Sequence, residues 1–222
     1  MVLRGILATL AFYVVAAVVM FAAAGRWNLP AFWAWLAVMV LSSVTILPIL
    51  ERTSPGLLAE RLKPGPGDRD RRGPFGGVMV LFLMLAIAGY DAGRFHWSAP
   101  MPTAVVAIAW AALIAGFWLV AWAMIVNRFF SSAVRIQGER GQQVVRRGPY
   151  AIVRHPGYLA GLLYLAAIGP TLGSWWAMLP AALAFVGIVR RTRLEDAMLR
   201  RELPGYEDYA GAVRWRLLPG VW

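Results

Sequence analysis

Residues 103–126 read TAVVAIAWAALIAGFWLVAWAMIV, a run of 24 residues that contains no charged side chain. A transmembrane α-helix needs about 20 consecutive apolar residues to cross a hydrocarbon core about 30 Å thick. The run meets that length and predicts a helix that crosses a bilayer. It therefore indicates the fold class, an all-α polytopic bundle of transmembrane helices.

Further apolar runs lie on both sides of this stretch. Three precede it, at residues 6–24, 31–50 and 75–90, and two shorter ones follow, at 158–168 and 175–189. The turn-forming residues Gly169, Pro170, Gly173 and Ser174 separate the last two runs. These two runs are short for independent spans, and they predict a tight helical hairpin that dips through the membrane. The sequence thus predicts about six crossings.

The composition agrees with a membrane protein and excludes several kinds of chemistry. The 222-residue chain is 60% hydrophobic and only 15% charged, whereas a typical soluble domain is about 25% charged. The absence of cysteine excludes disulfides, thiolate metal sites and a cysteine nucleophile. The two histidines form no His-Glu metal pair on a helix, and His96 falls in a predicted outer loop. We therefore expect no metal site.

The distribution of the 22 basic residues sets the orientation. With the N-terminus in the cytoplasm, six crossings place 20 of them on the cytoplasmic side and leave only Arg26 and Arg94 outside. The positive-inside rule requires this kind of asymmetry. It predicts a multi-pass protein of the inner (plasma) membrane with both termini cytoplasmic. The net charge of +11 then favours anionic lipid headgroups as partners rather than nucleic acid.

A polar segment at residues 137–158, QGERGQQVVRRGPYAIVRHPGY, follows the uncharged run. Pro156 suits the first turn of a helix, because its missing N–H needs no partner there. The N-terminal amides of a helix from Tyr158 onward attract anionic groups such as a carboxylate. The alternative is a loop that simply re-enters the membrane, with Arg154 and His155 facing lipid phosphates.

A second polar cluster follows the predicted hairpin. Arg191 and Glu195 are four residues apart, so on a continuing helix they share a face. The alternative reading of this pair is a helical ion pair with an arginine anchored at the interface. Beyond it, the tail with Tyr206, Tyr209 and residues 214–222 predicts a surface-lying amphipathic helix. The segment 51–74, rich in proline, glycine and charge, predicts an irregular connector at the edge of the site.

Together these residues resemble the isoprenylcysteine carboxyl methyltransferase family, which belongs with the phospholipid methyltransferases. The resemblance covers about residues 127–222, in this order: Arg154-His155-Pro156-x-Tyr158 with Gly161, a hairpin, an acidic pair, Tyr206-x-x-Tyr209 and Arg216-x-x-Pro219. It implies an integral-membrane enzyme that uses S-adenosyl-L-methionine. The implied acceptor is lipophilic or a small hydrophobic molecule: a carboxylate, a thiol or a lipid amine. The resemblance also divides the chain into a four-span region, 1–126, and a cofactor-binding and catalytic region, 127–222.

The resemblance further implies which residues form the site. Glu195 is implied as a catalytic residue and cofactor ligand, and Arg191 as the catalytic, substrate-facing arginine. The other implied cofactor contacts are Gln137, Gln142, Gln143, Val144, Val145, Tyr150, His155, Pro156, Gly157 and Tyr158. The family often has histidine where Gln142 stands. Its Phe-Gly-Glu-Glu-Tyr is replaced here by the shorter Leu203-Pro204-Gly205-Tyr206, which leaves Asp196 as an alternative to Glu195.

Two other functions remain open from the sequence. One is a membrane oxidoreductase of the sterol-reductase type, which would hold NADPH in the same groove. The other is a non-catalytic membrane protein that keeps the motif only for folding. Binding of S-adenosylmethionine, of NADPH or of neither separates the three.

Overall fold

A computed structural model describes residues 2–62, 65–70 and 72–222, with the side chains of 72–75 left aside. Lys63 and Arg71, counted above among the cytoplasmic basic residues, lie outside these ranges. The helices are α1 Val2–Ala24, α2 Pro30–Thr53, α3 Leu57–Leu62, α4 Arg72–Ala88, α5 Thr103–Val126, α6 Pro156–Thr171, α7 Met178–Glu202 and α8 Tyr206–Ala212. A π-helical segment, Gly89–Phe95, continues α4, and short 3₁₀ turns occupy Gly138–Arg140 and Gly148–Ala151. Within the described ranges there is no strand, and the all-α prediction is confirmed.

Four helical segments are long and apolar enough to span a membrane. They are α1, α2, Gly76–Phe95 and α5. Large apolar side chains are exposed on their outward faces, for example Leu3, Val14 and Val18 of α1. In water such a surface would be costly, whereas hydrocarbon accepts it without penalty. The chain is therefore a multi-pass membrane protein, and the count of six crossings stays a prediction.

Small residues allow the helices to approach each other closely. A Cβ atom built at Gly116 of α5 would lie 3.0 Å from the carbonyl oxygen of Ala160 in α6. A Cβ at Gly89 would lie 2.5 Å from the carbonyl oxygen of Met20 in α1. Close backbone approach at small residues is the usual packing mode between helices in a membrane. It fixes α6, which carries the candidate site, against α5.

A buried carboxylate ties the π-helical segment to the connection between α6 and α7. Asp91 is fully buried and accepts hydrogen bonds from the Ser98 backbone N–H at 2.8 Å, from the Ser98 hydroxyl, and from the Ser174 hydroxyl at 2.6 Å. The Ser98 oxygen in turn accepts a bond from the Trp175 N–H at 2.8 Å. Both carboxylate oxygens therefore have partners, which a buried charge requires.

The α6–α7 pair differs in its bounds from the two predicted apolar runs. Gly169 and Pro170, expected in the turn, lie within α6, and the non-helical connection is only residues 172–177. The Thr171 hydroxyl donates to the carbonyls of Ala167 and Ile168 at 2.9 and 3.0 Å, which satisfies the last turn around the proline. The helix α7 continues to Glu202, because its arginines, leucines and glutamates are good helix formers. It thus carries the whole second polar cluster.

The predicted amphipathic tail is wrong in both extent and exposure. Only Tyr206–Ala212 is helical, and Tyr206 and Tyr209 are buried rather than on a surface. The chain beyond it is irregular and pairs with the backbone before α6. The carbonyls of Trp215 and Arg216 accept the N–H groups of Arg154 and His155 at 2.9 Å each. Because these carbonyls accept hydrogen bonds from the residues before α6, they are not used for a helix in the tail.

Replacing Asp91 with alanine should destabilise the protein by about 3 kcal/mol, because three hydrogen bonds to a carboxylate are lost and the buried Ser174 hydroxyl loses its acceptor. Thermal unfolding in detergent measures the effect. The matched control is Asp208→Ala, which removes an exposed carboxylate. Equal unfolding midpoints for the two variants would contradict the structural role of Asp91.

Candidate functional site

A cavity of about 390 Å³ lies where α5 ends and α6 begins. Its size is within the range of small-molecule sites. Every site residue predicted from the sequence lines it: Gln137, Gln142, Gln143, Val144, Val145, Tyr150, His155, Pro156, Gly157, Tyr158, Arg191 and Glu195. The structure thus brings the predicted residues together around one cavity, and their roles as cofactor or substrate contacts stay predictions.

The start of α6 forms one side of the cavity. Pro156 occupies the first helical position, as predicted, and His155 precedes the helix. Gly157 leaves room for an aromatic ring, because a Cβ atom there would lie 2.5 Å from Cε2 and Cζ of Phe130. The Phe130 ring thus packs directly against the helix start. A larger residue at 157 would push it away.

Tyr158 joins the two predicted catalytic residues. Its hydroxyl donates to the Glu195 carboxylate and accepts a hydrogen bond from Nε of Arg191 at 2.8 Å. Arg191 and Glu195 lie on one face of α7, as their spacing predicts, and they connect through this hydroxyl. The Arg191 guanidinium also contacts the Ser132 carbonyl at 2.5 Å and the Asp70 carboxylate at 3.2 Å. It is therefore held in a fixed direction beside the cavity.

Asp196 is buried beneath the cavity rather than facing it. Its carboxylate accepts hydrogen bonds from Arg154 Nε at 2.8 Å, His155 Nε2 at 3.2 Å, the Tyr206 hydroxyl at 3.1 Å and Arg216 Nε at 2.9 Å. Burial opposes ionisation of this group, but the hydrogen bonds from His155 and Arg154 outweigh it and hold the pKa of Asp196 well below its usual range. Of the two adjacent carboxylates, only Glu195 lines the cavity.

This network overturns one reading of the sequence. Arg154 and His155 are buried, with 4% and 5% of their surfaces exposed, so they do not face lipid phosphates. The sequence did not reveal the network, because its members are far apart along the chain. One signal was available: adjacent residues on a helix point about 100° apart, so Glu195 and Asp196 are expected to face different surroundings.

The loop between α5 and the first 3₁₀ turn is held in shape by glutamine side chains. Gln137 donates from Nε2 to the Phe129 carbonyl at 2.6 Å, and its backbone N–H donates to Oε1 of Gln142 at 2.6 Å. The Arg140 guanidinium bonds the Gln137 side-chain oxygen. Gln137 and Gln142 therefore brace the loop as well as line the cavity, and the extended segment after them carries Gln143, Val144 and Val145.

Tyr150 follows this segment along the chain and also lines the cavity. Its hydroxyl accepts a hydrogen bond from Asn127 Nδ2 at 3.0 Å, and burial raises the pKa of Tyr150. The carbonyl of Tyr150 accepts the Tyr209 hydroxyl at 2.7 Å. The side chain of Tyr150 thus contacts the residue that follows α5, and its backbone carbonyl contacts α8.

The segment between α2 and α4 contributes residues that sequence reasoning missed. It was predicted to be an irregular connector, but it contains α3, because Leu57 and Leu58 bury their side chains against α2 and α5. Glu60 of α3 pairs with Arg135 at 3.0 Å with both side chains nearly buried. Arg61 lines the cavity and stacks on Phe130, with its guanidinium carbon 5.3 Å from the ring centre. The sequence signal available for this helix was the pair Glu60 and Arg61 with leucines on both sides.

Comparison with known proteins finds a family model that matches the part of the chain around the cavity. Residues 104–204 match the family model described as phospholipid methyltransferase. Over that region the chain is similar to the phospholipid methyltransferase family. The match begins at the second residue of α5 and ends just after α7, so it contains most of the cavity lining, and it confirms the resemblance.

Two relatives match a shorter part of the chain. The nickel-cobalt-cadmium resistance protein NccN of Alcaligenes xylosoxydans xylosoxydans and the cobalt-zinc-cadmium resistance protein CzcN of Cupriavidus metallidurans are each 33% identical over 79 residues. The match spans 35% of this chain and only 37% of each relative. Among the residues that the structure describes, no group of three or more His, Cys, Asp or Glu side chains is placed to hold a metal ion.

Replacing Asp196 with asparagine should destabilise the protein at pH 7 by about 3–5 kcal/mol, because it leaves the buried Arg154 without its counter-charge. The lowered pKa of Asp196 means that its contribution is present above the unfolded carboxyl pKa, near 3.9, and is lost as the pH falls below it. The difference between the variant and the wild type should therefore shrink below about pH 4.

Thermal unfolding from pH 7 to pH 3 measures both effects. The control is Glu207→Gln, whose carboxylate is exposed and pairs with Arg200. A constant difference between Asp196→Asn and wild type across this range would show that the charge of Asp196 does not stabilise the fold.

Proposed function

We propose that this protein is an integral-membrane methyltransferase that uses S-adenosyl-L-methionine. The observation that carries the proposal is the junction of Tyr158, Arg191 and Glu195 in one cavity, inside the region that matches the phospholipid methyltransferase family. S-adenosylmethionine supplies a methyl group bound to a positively charged sulfur.

The chemistry of the lining fits such a cofactor, which combines charged groups with an apolar ring. Glu195 offers a carboxylate for a cationic or hydroxyl group. The amides at the start of α6 suit a carboxylate, since the first turn of a helix has free N–H donors. Val144 and Val145 offer an apolar wall for the adenine ring. Tyr158 directs the Glu195 carboxylate, so the anion is positioned before a ligand arrives.

The cavity favours loss of charge during methyl transfer. Its walls include Phe129, Phe130 and Leu199, which limit water, and a dry site favours a transition state less charged than its reactants. Holding donor and acceptor in line supplies much of the remaining acceleration. The side chains thus act by positioning and by exclusion of water.

The arginines favour an anionic acceptor. Arg61 and Arg191 both line the cavity, and a guanidinium binds a carboxylate or thiolate through charge-assisted hydrogen bonds. An anion attacks without a general base. A lipid amine would need one, and the two candidates, Glu195 and His155, are already hydrogen-bonded to Tyr158 and Asp196. A carboxylate or thiolate on a lipophilic molecule is the acceptor that this lining suits best.

Titration calorimetry of S-adenosylmethionine into the detergent-purified protein tests the cofactor. Wild type should bind, and Glu195→Gln should weaken binding at least tenfold, because a charge-assisted hydrogen bond is worth about 1.5–3 kcal/mol. Tyr158→Phe should weaken it as well, since it frees Glu195 to rotate. Glu207→Gln, an exposed carboxylate outside the cavity, is the control. Binding of NADPH in place of S-adenosylmethionine would favour a reductase instead.

The orientation can be tested with single cysteines, because the natural chain has none. We expect Pro100→Cys to react with an impermeant maleimide on intact cells, and Asp208→Cys only after permeabilisation, because the basic residues predict Asp208 on the cytoplasmic side. Both positions are exposed. The reverse labelling pattern would exclude cytoplasmic termini.

A further inference from the structure

A second cavity, of about 670 Å³, lies beside the candidate site. It is bounded by the last residues of α2 and α5 and by the segment 141–147. Its surroundings combine positive charge, an apolar base and a position at the end of two membrane helices. Each of these features points to the same ligand.

The charge on this cavity is of one sign. Arg128, Arg146 and Arg147 line it, and among its described lining residues none is acidic. Arg128 uses one N–H for the Arg140 carbonyl at 3.2 Å, and Arg146 uses one for the Gly205 carbonyl at 3.0 Å. A guanidinium has five N–H groups, so most donors remain available to the oxygens of an anion, and paired donors suit a phosphate.

The base of the cavity is apolar and lies where two membrane helices end. Ile125, Val126 and Val144 contribute to it. Thr53 and Val126, also in the lining, are the final residues of α2 and α5, both of which are long and apolar enough to span the membrane. This is the level of the lipid headgroups. A lining that combines arginines with apolar side chains matches an amphiphile rather than a free anion.

The two cavities share a wall. Phe129, Gln143, Val144 and Val145 line both of them. The backbone of this segment is irregular, so it depends on side-chain contacts for its shape. A ligand on one side of the wall therefore steadies the surface presented to the other.

We propose that this second cavity binds the headgroup of an anionic phospholipid through its phosphate and that the bound lipid steadies the wall of the candidate site. The headgroup site is independent of the proposed function, whereas its effect on cofactor affinity rests on it. The lipid acts as a resident ligand and is not methylated.

The test uses the detergent-purified full chain with phosphatidylglycerol as the probe. Native mass spectrometry counts bound lipid as the lipid is titrated. The double variant Arg146→Gln/Arg147→Gln should weaken binding roughly 10- to 30-fold, from the loss of two surface arginines. The control, Arg201→Gln/Arg214→Gln, removes the same charge from exposed positions outside the cavity. It should bind lipid like the wild type, and the unfolding midpoints of all three proteins show whether each is folded.

Two outcomes would overturn the headgroup site, and a third would overturn the role of the lipid as a resident ligand. Equal weakening by both double variants would mean attraction to net charge alone. Displacement of the lipid by millimolar inorganic phosphate would mean a site for free anions. Methylated phosphatidylglycerol after incubation with S-adenosylmethionine would make the lipid an acceptor.

The coupling has its own readout. Phosphatidylglycerol should raise the affinity of the wild type for S-adenosylmethionine, and it should have little effect on Arg146→Gln/Arg147→Gln. Retained lipid binding with no binding of S-adenosylmethionine would overturn the proposed function and the coupling, but not the headgroup site.

Discussion

The site depends on one buried carboxylate, Asp196, and on the groups that neutralise it. A charge removed from water costs several kcal/mol unless it is paired and fully hydrogen-bonded. Asp196 meets this requirement with donors from three separate parts of the chain: the residues before α6, Tyr206 of α8, and Arg216 of the tail. Moving any of these parts would leave the buried charges with fewer partners. The start of α6 is therefore fixed, and the cavity next to it keeps its shape.

A second hydrogen-bonded arrangement of charged groups lies in the lining of the cavity itself. The Tyr158 hydroxyl stands between a guanidinium and a carboxylate, donating to one and accepting from the other. Arg191 is further bound to the Ser132 carbonyl and to Asp70, which lies between α3 and α4. The segment between α2 and α4 is therefore part of the site. Two of its attachments, Glu60 with Arg135 and Asp70 with Arg191, flank the cavity lining that includes Arg61.

The sequence predicted much of this molecule because the main signals are local. A run such as 103–126 is apolar over its whole length, and the structure begins and ends α5 at the same two residues. The spacing of Arg191 and Glu195 predicted a shared helix face, and Pro156 predicted the helix start. Each of these features follows from fewer than thirty consecutive residues.

The errors arose where distant residues decide the structure. The tail from residue 213 has the composition of an amphipathic helix, but its backbone pairs with Arg154 and His155. Tyr206 is buried because Asp196 needs a donor, and Asp196 is ten residues away along the chain. The helix α3 forms because Leu57 and Leu58 find apolar partners in other helices. Most of these contacts join residues far apart along the chain, and none of them follows from a local pattern of apolar and polar residues.

The backbone pairing between residues 154–155 and 215–216 has a consequence for biosynthesis. The membrane helices can be inserted one after another as they leave the ribosome, because each satisfies its own backbone hydrogen bonds. The entry to α6 cannot be completed in that order, since its partners are translated some sixty residues later. Until Arg216 has been translated, Asp196 lacks one of its hydrogen-bond donors and the backbone before α6 lacks its partners. At that stage the membrane helices can already be inserted, but the cavity is incomplete.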